Sequence, residues 1–206
     1  MSSNRVLKLY NARLNVLEQL EEIGYDVSEY KNFSINAVDV MNESTQMDML
    51  VKREMDNKKV YIHFFDASFG KKHLDELIEE LFEIENALSL EDTLIVITND
   101  EPNDTLISRL KYVWEQSKYM VVVQNIKRLQ YNVLKHQYVP PCSILNEQQV
   151  TEFKQTFSIQ NSKQLPEISR FDPQALAICL RPGDIVQFER KSETAMTYNY
   201  YRVCVN

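Results

Sequence analysis

Leu7, Tyr10, Leu14, Leu17, Leu20 and Ile23 recur at three- and four-residue steps, which predicts an amphipathic helix over 5–23; Gly24 stands where a helix-ending glycine belongs. Residues 35–57 fit no single period and are left partly open. Val60–Phe65 then reads as a short β-rich run. Leu74, Ile78, Leu81 and Leu88 form one stripe, predicting a second helix over 71–88. Leu94–Thr98 is a second strand, and Met120–Val123 a third. Between them Asp104 suits the cap of a helix running to Ser117, with Leu106, Leu110, Val113 and Trp114 inward. Strand–helix–strand–helix–strand implies right-handed crossovers. The first part of the chain is therefore read as α/β, a mainly parallel sheet with flanking helices.

The pattern changes at His136-Gln137-Tyr138-Val139-Pro140-Pro141. Two prolines remove backbone donors and push the residues before them toward extended geometry, so no helix passes through. The division is placed near 135, giving units 1–135 and 136–206. Asn146 with Gln149 reads as a capping box for a short helix striped by Val150, Phe153 and Phe157. Asp172-Pro173 starts another. Residues 185–190 and 197–205 alternate with period two, joined by a loop from Lys191 to Met196. The second unit is thus a small α+β module of about 70 residues; its modest core leaves it leaning on a partner.

Composition sharpens this picture. Of 206 residues 44% are apolar and 26% charged, an ordinary globular balance, and no apolar run is long enough for a membrane span. The opening residues are charged too densely for a secretory signal. Three cysteines (Cys142, Cys179, Cys204) are too few and too odd in number for a disulfide framework, which points to a reducing compartment, cytosol or nucleus. The net charge of −7 lies entirely in residues 1–135, with 16 basic and 23 acidic residues. Such a chain is not drawn to nucleic acid on its own.

Candidate chemistry is sparse. Three glycines exclude glycine-rich phosphate loops. The cysteines and histidines show no paired spacing of a metal site, and no metal or other cofactor is expected; Cys179 and Cys204 read as small buried apolar residues. No serine sits in a nucleophile elbow. A Cys142–His136 pair reads as a surface turn. Asp39, Glu54 and Asp66 with Lys58 and Lys59 raise a carboxylate-dependent nuclease as an enzymatic alternative, without its compact spacing. The run Asp75, Glu76, Glu79, Glu80, Glu83, Glu85 reads as a solvated helix face. Tyr198, Tyr200 and Tyr201 lie near Arg190, Lys191 and Arg202, but alternation splits Tyr201 from the other two, so no single-strand stacking ladder forms.

The second unit carries an ordered series: His136-x-x-Val139-Pro140; Gln164-Leu165-Pro166-x-Ile168 followed by Asp172-Pro173; Arg181, Gly183 and Asp184-Ile185-Val186; Arg190-x-Ser192-Glu193-Thr194; Tyr198-x-x-Tyr201-Arg202. In order and spacing it resembles the fifth-largest subunit shared by eukaryotic nuclear RNA polymerases and the short archaeal polymerase subunit that corresponds to it. Two departures stand out. Cys142 replaces the family's usual histidine, and Ala195-Met196-Thr197 lacks its usual glycine, so a different turn is expected there because Met tolerates positive φ poorly. Over 1–135 the resemblance holds only in outline, and the family's DNA-associated helix start falls near Pro102, Asn103 and Thr105. This divergence suits a polymerase of a large cytoplasmic DNA virus.

The resemblance implies a non-catalytic polymerase subunit. Its C-terminal unit would dock on the largest subunit through the motif residues above, and its N-terminal unit would form part of a jaw beside downstream DNA. Expected partners are the polymerase subunits and, weakly and only within the complex, duplex DNA; no membrane is expected. The compartment would be the nucleus for a cellular enzyme, or host cytoplasm and virion for a viral one. Pro140, Pro166 and Pro173 would stiffen the docking face. Arg181, Arg190 and Arg202 suit forked bonds to a partner, or pairing with Asp172, Asp184 or Glu193. A phosphate contact at the helix start needs the Asp104 carboxylate turned inward as the cap. The alternatives are a divergent nuclease-like enzyme with a binding module, and a free-standing transcription adaptor imitating the polymerase module.

Overall fold

The computed structural model describes residues 2–206 and divides after Asn132 into two compact units. In the first, α1 (Ser2–Glu22) and α2 (Ile35–Glu43) precede β1 (Met49–Lys52) and β2 (Lys59–Phe65). Then come α3 (Lys71–Ile78), β3 (Thr93–Thr98), α4 (Asp104–Ser117) and β4 (Met120–Asn125). The sheet order is β1-β2-β3-β4. β2, β3 and β4 run parallel, with Val60 opposite Thr93 and Thr93 opposite Met120, while β1 adds antiparallel, Met49 facing Ile62. Every residue of β3 and β4 is buried. Side chains of a strand alternate between faces, so both faces of the sheet are covered; this is why these segments read as unbroken apolar runs. The open stretch 35–57 resolves into α2, capped by Ser34 Oγ on Ala37 N, and the edge strand β1.

Two local expectations are corrected. The helix expected over 71–88 is α-helical only to Ile78; Glu79–Ile84 continue as a π-helical turn. Leu81 and Phe82 are both buried in this turn, and Phe82 stacks on Tyr119 at 4.3 Å. The cap of α4 is Asn103, whose Oδ1 accepts from Leu106 N at 2.8 Å; Asp104 is the first helical residue and is exposed. Trp114 is half-buried, with the Lys118 ammonium over its ring at 5.6 Å. Glu76, Glu79, Glu80, Glu83 and Glu85 are exposed, while Asp75 bonds Arg109 Nε at 2.7 Å and ties α3 to α4.

The second unit, Val133–Asn206, contains β5 (Cys142–Ile144), α5 (Glu147–Thr156), β6 (Glu167–Ser169), α6 (Pro173–Ala177), β7 (Ile185–Ser192) and β8 (Met196–Val205). Its sheet order is β5-β7-β8-β6, antiparallel except for β6 beside β8. Asn146 and Gln149 cap α5 reciprocally at 2.9 Å each, and Asp172 with Pro173 starts α6. The core gathers Ile168, Leu180, Ile185, Val186, Phe188 and Val203. The loop expected from Lys191 to Met196 shrinks to Glu193–Ala195, because pairing persists to Ser192 opposite Met196.

Helix ends show how a chain with three glycines turns. α1 ends through Gly24 at φ +91°, but α2, α5 and α6 end through Thr45, Ser158 and Cys179 at φ +54°, +53° and +52°. Each is locked by a six-to-one bond: Gln46 N to Met41 O, Ile159 N to Lys154 O, Leu180 N to Ala175 O. A left-handed side-chain residue costs about 1 kcal/mol, which these closures offset.

Candidate interaction surface

The β7–β8 hairpin organises the face that remains available in the second unit. Alternation puts Arg190, Tyr198, Tyr200 and Arg202 on one side, and Tyr201 on the other. Tyr201 packs on Phe153 of α5 at 4.2 Å, and Phe157, 59% exposed, stands 6.0 Å from it. On the opposite side two guanidiniums share one ring: Arg190 lies 4.2 Å and Arg202 5.5 Å from the Tyr200 centroid. Among the described residues neither arginine has a carboxylate at ion-pairing distance. Arg202 Nε is buried and has no hydrogen-bond partner.

The motif residues sort into two groups. Most shape the module itself. Pro140 O accepts from Gln174 Nε2 at 2.9 Å, and Val139 N donates to His136 O. His136, exposed, accepts through Nδ1 from Tyr138 N. Gln164 Oε1 folds back onto the amides of Gln160 and Asn161. Leu165 is half-buried, Ile168 is core, and Asp172 and Pro173 cap α6. Gly183 supplies φ +101° in the turn where Arg181 N donates to Asp184 Oδ2. Ser192 Oγ accepts from the Thr194 and Ala195 amides, tying the hairpin loop, with Glu193 exposed at its tip. Met196 lacks the glycine's freedom yet adopts φ +57°, with its side chain 84% exposed. Arg190, Tyr198 and Arg202 share one side of the hairpin, where Tyr198 is exposed and the two arginines are half-buried.

Among the buried groups that escaped the sequence reading are Arg170 and Asp92. Arg170 is 2% exposed; its Nη1 donates to Asn206 Oδ1 and its guanidinium lies over Phe171, and burial pushes it below its ordinary value. Beside it burial pushes the Cys204 thiol up to about 12, with Asp184 adding and Arg170 opposing. Position after a three-residue strand is a weak signal for a buried arginine, because Arg is normally a surface residue. In the first unit Asp92 is buried and accepts from Lys59 N, Ser89 N and Ser89 Oγ, a fastening at the start of β3.

The helix start expected near DNA differs from its requirement. Pro102 is half-exposed and Asn103 and Thr105 are exposed, but Asn103 Oδ1 already takes the Leu106 amide. Asp104, expected inward as the cap, instead leaves its carboxylate in solvent in the first turn, where it competes with any phosphate. The nuclease candidates stand on separate elements: Asp39 in α2, Glu54 in the β1–β2 turn, and Asp66 after β2, paired with Arg5. Lys58 pairs with Glu91 and Asp56, and Lys59 Nζ donates to Ala87 O. Among the described residues, no three acidic, histidine or cysteine side chains group as metal ligands.

The second unit is a small mixed module whose hairpin carries two arginines on one ring, and it follows an α/β unit in the chain. Residues 131–204 match the family described as RNA polymerase Rpb5, C-terminal domain. The DNA-directed RNA polymerase subunit Rpo5 of Thermococcus celer is 40% identical over 76 residues, 37% of this chain and 92% of that one. Subunit 5A of RNA polymerase V from Arabidopsis thaliana is 29% identical over 100% of this chain and 91% of its own. The rpabc1 subunit of RNA polymerases I, II and III from Dictyostelium discoideum is 28% identical over 98% of each. The chain belongs to the subunit 5 family of DNA-directed RNA polymerases.

Proposed function

We propose that this chain is a non-catalytic subunit of a multisubunit DNA-directed RNA polymerase, that residues 136–206 attach it to the largest subunit, and that residues 1–135 form part of the jaw beside downstream DNA. Its compartment follows that of the enzyme it joins: the nucleus for a cellular polymerase, cytoplasm and virion for a viral one. The supporting observation is the Arg190–Tyr200–Arg202 stack, two charged groups held in place by a ring and given no carboxylate. Charged donors pre-positioned on a rigid hairpin lose little entropy on meeting a partner, which fits an assembly surface. The N-terminal unit adds DNA proximity at most: with Asp104 in the first turn, a single phosphate contact there contributes under about 1 kcal/mol, useful only where docking supplies a high local concentration.

The test is affinity purification of the tagged chain from its native source, with mass spectrometry of what accompanies it. The wild type recovers the polymerase subunits stoichiometrically. Arg190→Glu combined with Arg202→Glu abolishes that recovery while the first unit keeps its thermal transition. Normal assembly of the double variant would show the docking face to be elsewhere; recovery of transcription factors without polymerase would favour the free-standing adaptor.

A further inference from the structure

β8 is longer than either neighbour on its outer side. β6 pairs only with Val203–Val205, so among the described residues no strand flanks β8 from Met196 to Arg202 on that side. The ladder shows which groups point there. Ile185 O accepts from Leu145 N and Glu189 N donates to Pro141 O, so Ile185, Gln187 and Glu189 turn their amide groups toward β5. Their partners Val203, Tyr201 and Asn199 therefore turn theirs away from β7. Val203 N is taken by Pro166 O. Two residues back, the register would bring the amide of residue 166 to Tyr201 O, but proline has none: Pro166 ends the parallel ladder there. The N–H and C=O of Asn199 and Tyr201 are left as an open edge.

We propose that this edge receives an extended segment of the polymerase partner as an added strand, and that the segment alternates acidic and apolar side chains. The alternation is dictated by the two sides of the hairpin. On one, Arg190 and Arg202 flank Tyr200, with Arg202 Nε buried and unsatisfied, and a carboxylate would complete them. On the other, Tyr201 and the exposed Phe157 offer apolar rings. Main-chain bonds supply the attachment and the two faces its register. The first unit treats its own edge oppositely: Tyr30 Oη donates to Leu50 O and accepts from Leu50 N, occupying the groups of β1. This inference rests on the proposed polymerase role and adds its mode of contact.

Asn199→Pro tests it in the full chain, because the Asn199 amide points outward and its loss removes no bond between β7 and β8; Asn199→Ala controls for the side chain. Both variants keep the circular dichroism of the wild type. Recovery of polymerase falls about tenfold or more for Asn199→Pro and stays normal for Asn199→Ala. Amide exchange gives an independent reading: in the purified wild-type assembly Asn199 and Tyr201 exchange more slowly than in the free chain, while Tyr198 and Tyr200 do not change. Normal recovery of Asn199→Pro, or unchanged exchange at Asn199 and Tyr201, overturns the added strand and leaves the polymerase role standing. Protection that appears in a dimer of the free chain assigns the edge to a second copy and overturns it too. Failure of the wild type to recover polymerase overturns both readings.

Discussion

The two units solve the same problem, covering a sheet, in opposite ways. In the first, β3 and β4 are buried on both faces and the β1 edge is capped by Tyr30. In the second, β8 begins with four exposed residues, its outer edge is open, and charged and aromatic side chains stand on its surface. A unit that finishes its own sheet is stable by itself. One that leaves an edge and two guanidiniums unfinished fits the proposed assembly role. The family model that matches residues 131–204 describes a C-terminal domain, while the longer relatives match essentially the whole chain. Turns, caps and outward arginines are particular, whereas a buried parallel sheet accepts many apolar sequences of the right volume.

Matching core truncations expose the contrast most strongly. Leu94 at the centre of the first unit and Leu180 in the second are both fully buried. Either replacement by Ala costs about 3 kcal/mol. In the first unit, Leu94→Ala lowers the unfolding midpoint while the sheet remains folded at 25 °C. In the smaller second unit the same loss consumes most of its stability, so Leu180→Ala leaves the amides of β7 and β8 in fast exchange in the free chain. Equal residual protection in the two variants would erase that distinction between the units.

How much of this was legible beforehand follows from the range of the forces involved. Local patterns were readable: the stripe of α1, the apolar runs of β2, β3 and β4, the Asn146–Gln149 box and the Asp172-Pro173 start each depend on residues within four positions. The π turn was not, because the apolar stripe of Leu74, Ile78 and Leu81 reads the same for either winding, and the Tyr119 ring that Phe82 stacks on comes from another element. Asn103 and Asp104 are equally good caps, and which one ends the helix is decided by the fold. β1 was hidden in a stretch whose antiparallel partner is needed to define it. At the candidate surface, the split of Tyr198 and Tyr200 from Tyr201 was visible as simple alternation. The sharing of one ring by two arginines was not, nor was the buried Arg170, because each depends on side chains brought from other elements or on burial against propensity.

A smaller effect isolates the hairpin. Met196 holds φ +57° with its side chain in solvent, so it contributes strain and little packing. Met196→Gly relieves about 1 kcal/mol of backbone conflict and returns part of that through the greater freedom of the unfolded chain. The net gain is about 0.5 kcal/mol, or roughly 3 °C in the melting of the second unit. Differential scanning calorimetry should show that transition rise while the first unit's stays in place. Movement of both transitions together would mean that the units do not melt independently, and the contrast would have to be recast.

Alkaline titration separates the units by the smallest difference. In the first, burial raises the Tyr61 phenol far above its ordinary value of 10, helped by Asp48, whose Oδ2 accepts its hydroxyl at 3.0 Å. In the second, burial lifts the Cys204 thiol from 9.0 to about 12. Each group keeps its proton when folded at a pH where the unfolded chain has lost it. The unfolded state then binds fewer protons, and stability falls as pH rises. The contribution of Cys204 is whole below about pH 9 and fades between there and pH 12. That of Tyr61 is whole below about pH 10 and fades above it. The second unit should therefore begin to weaken about one pH unit sooner in urea titrations read separately for each unit by amide exchange. Cys204→Ala should flatten that early loss without touching the first unit, and Tyr61→Phe should do the reverse. A Cys204→Ala effect on the first unit's profile would show that the two cores titrate as one, which the separate burial of the two groups does not allow.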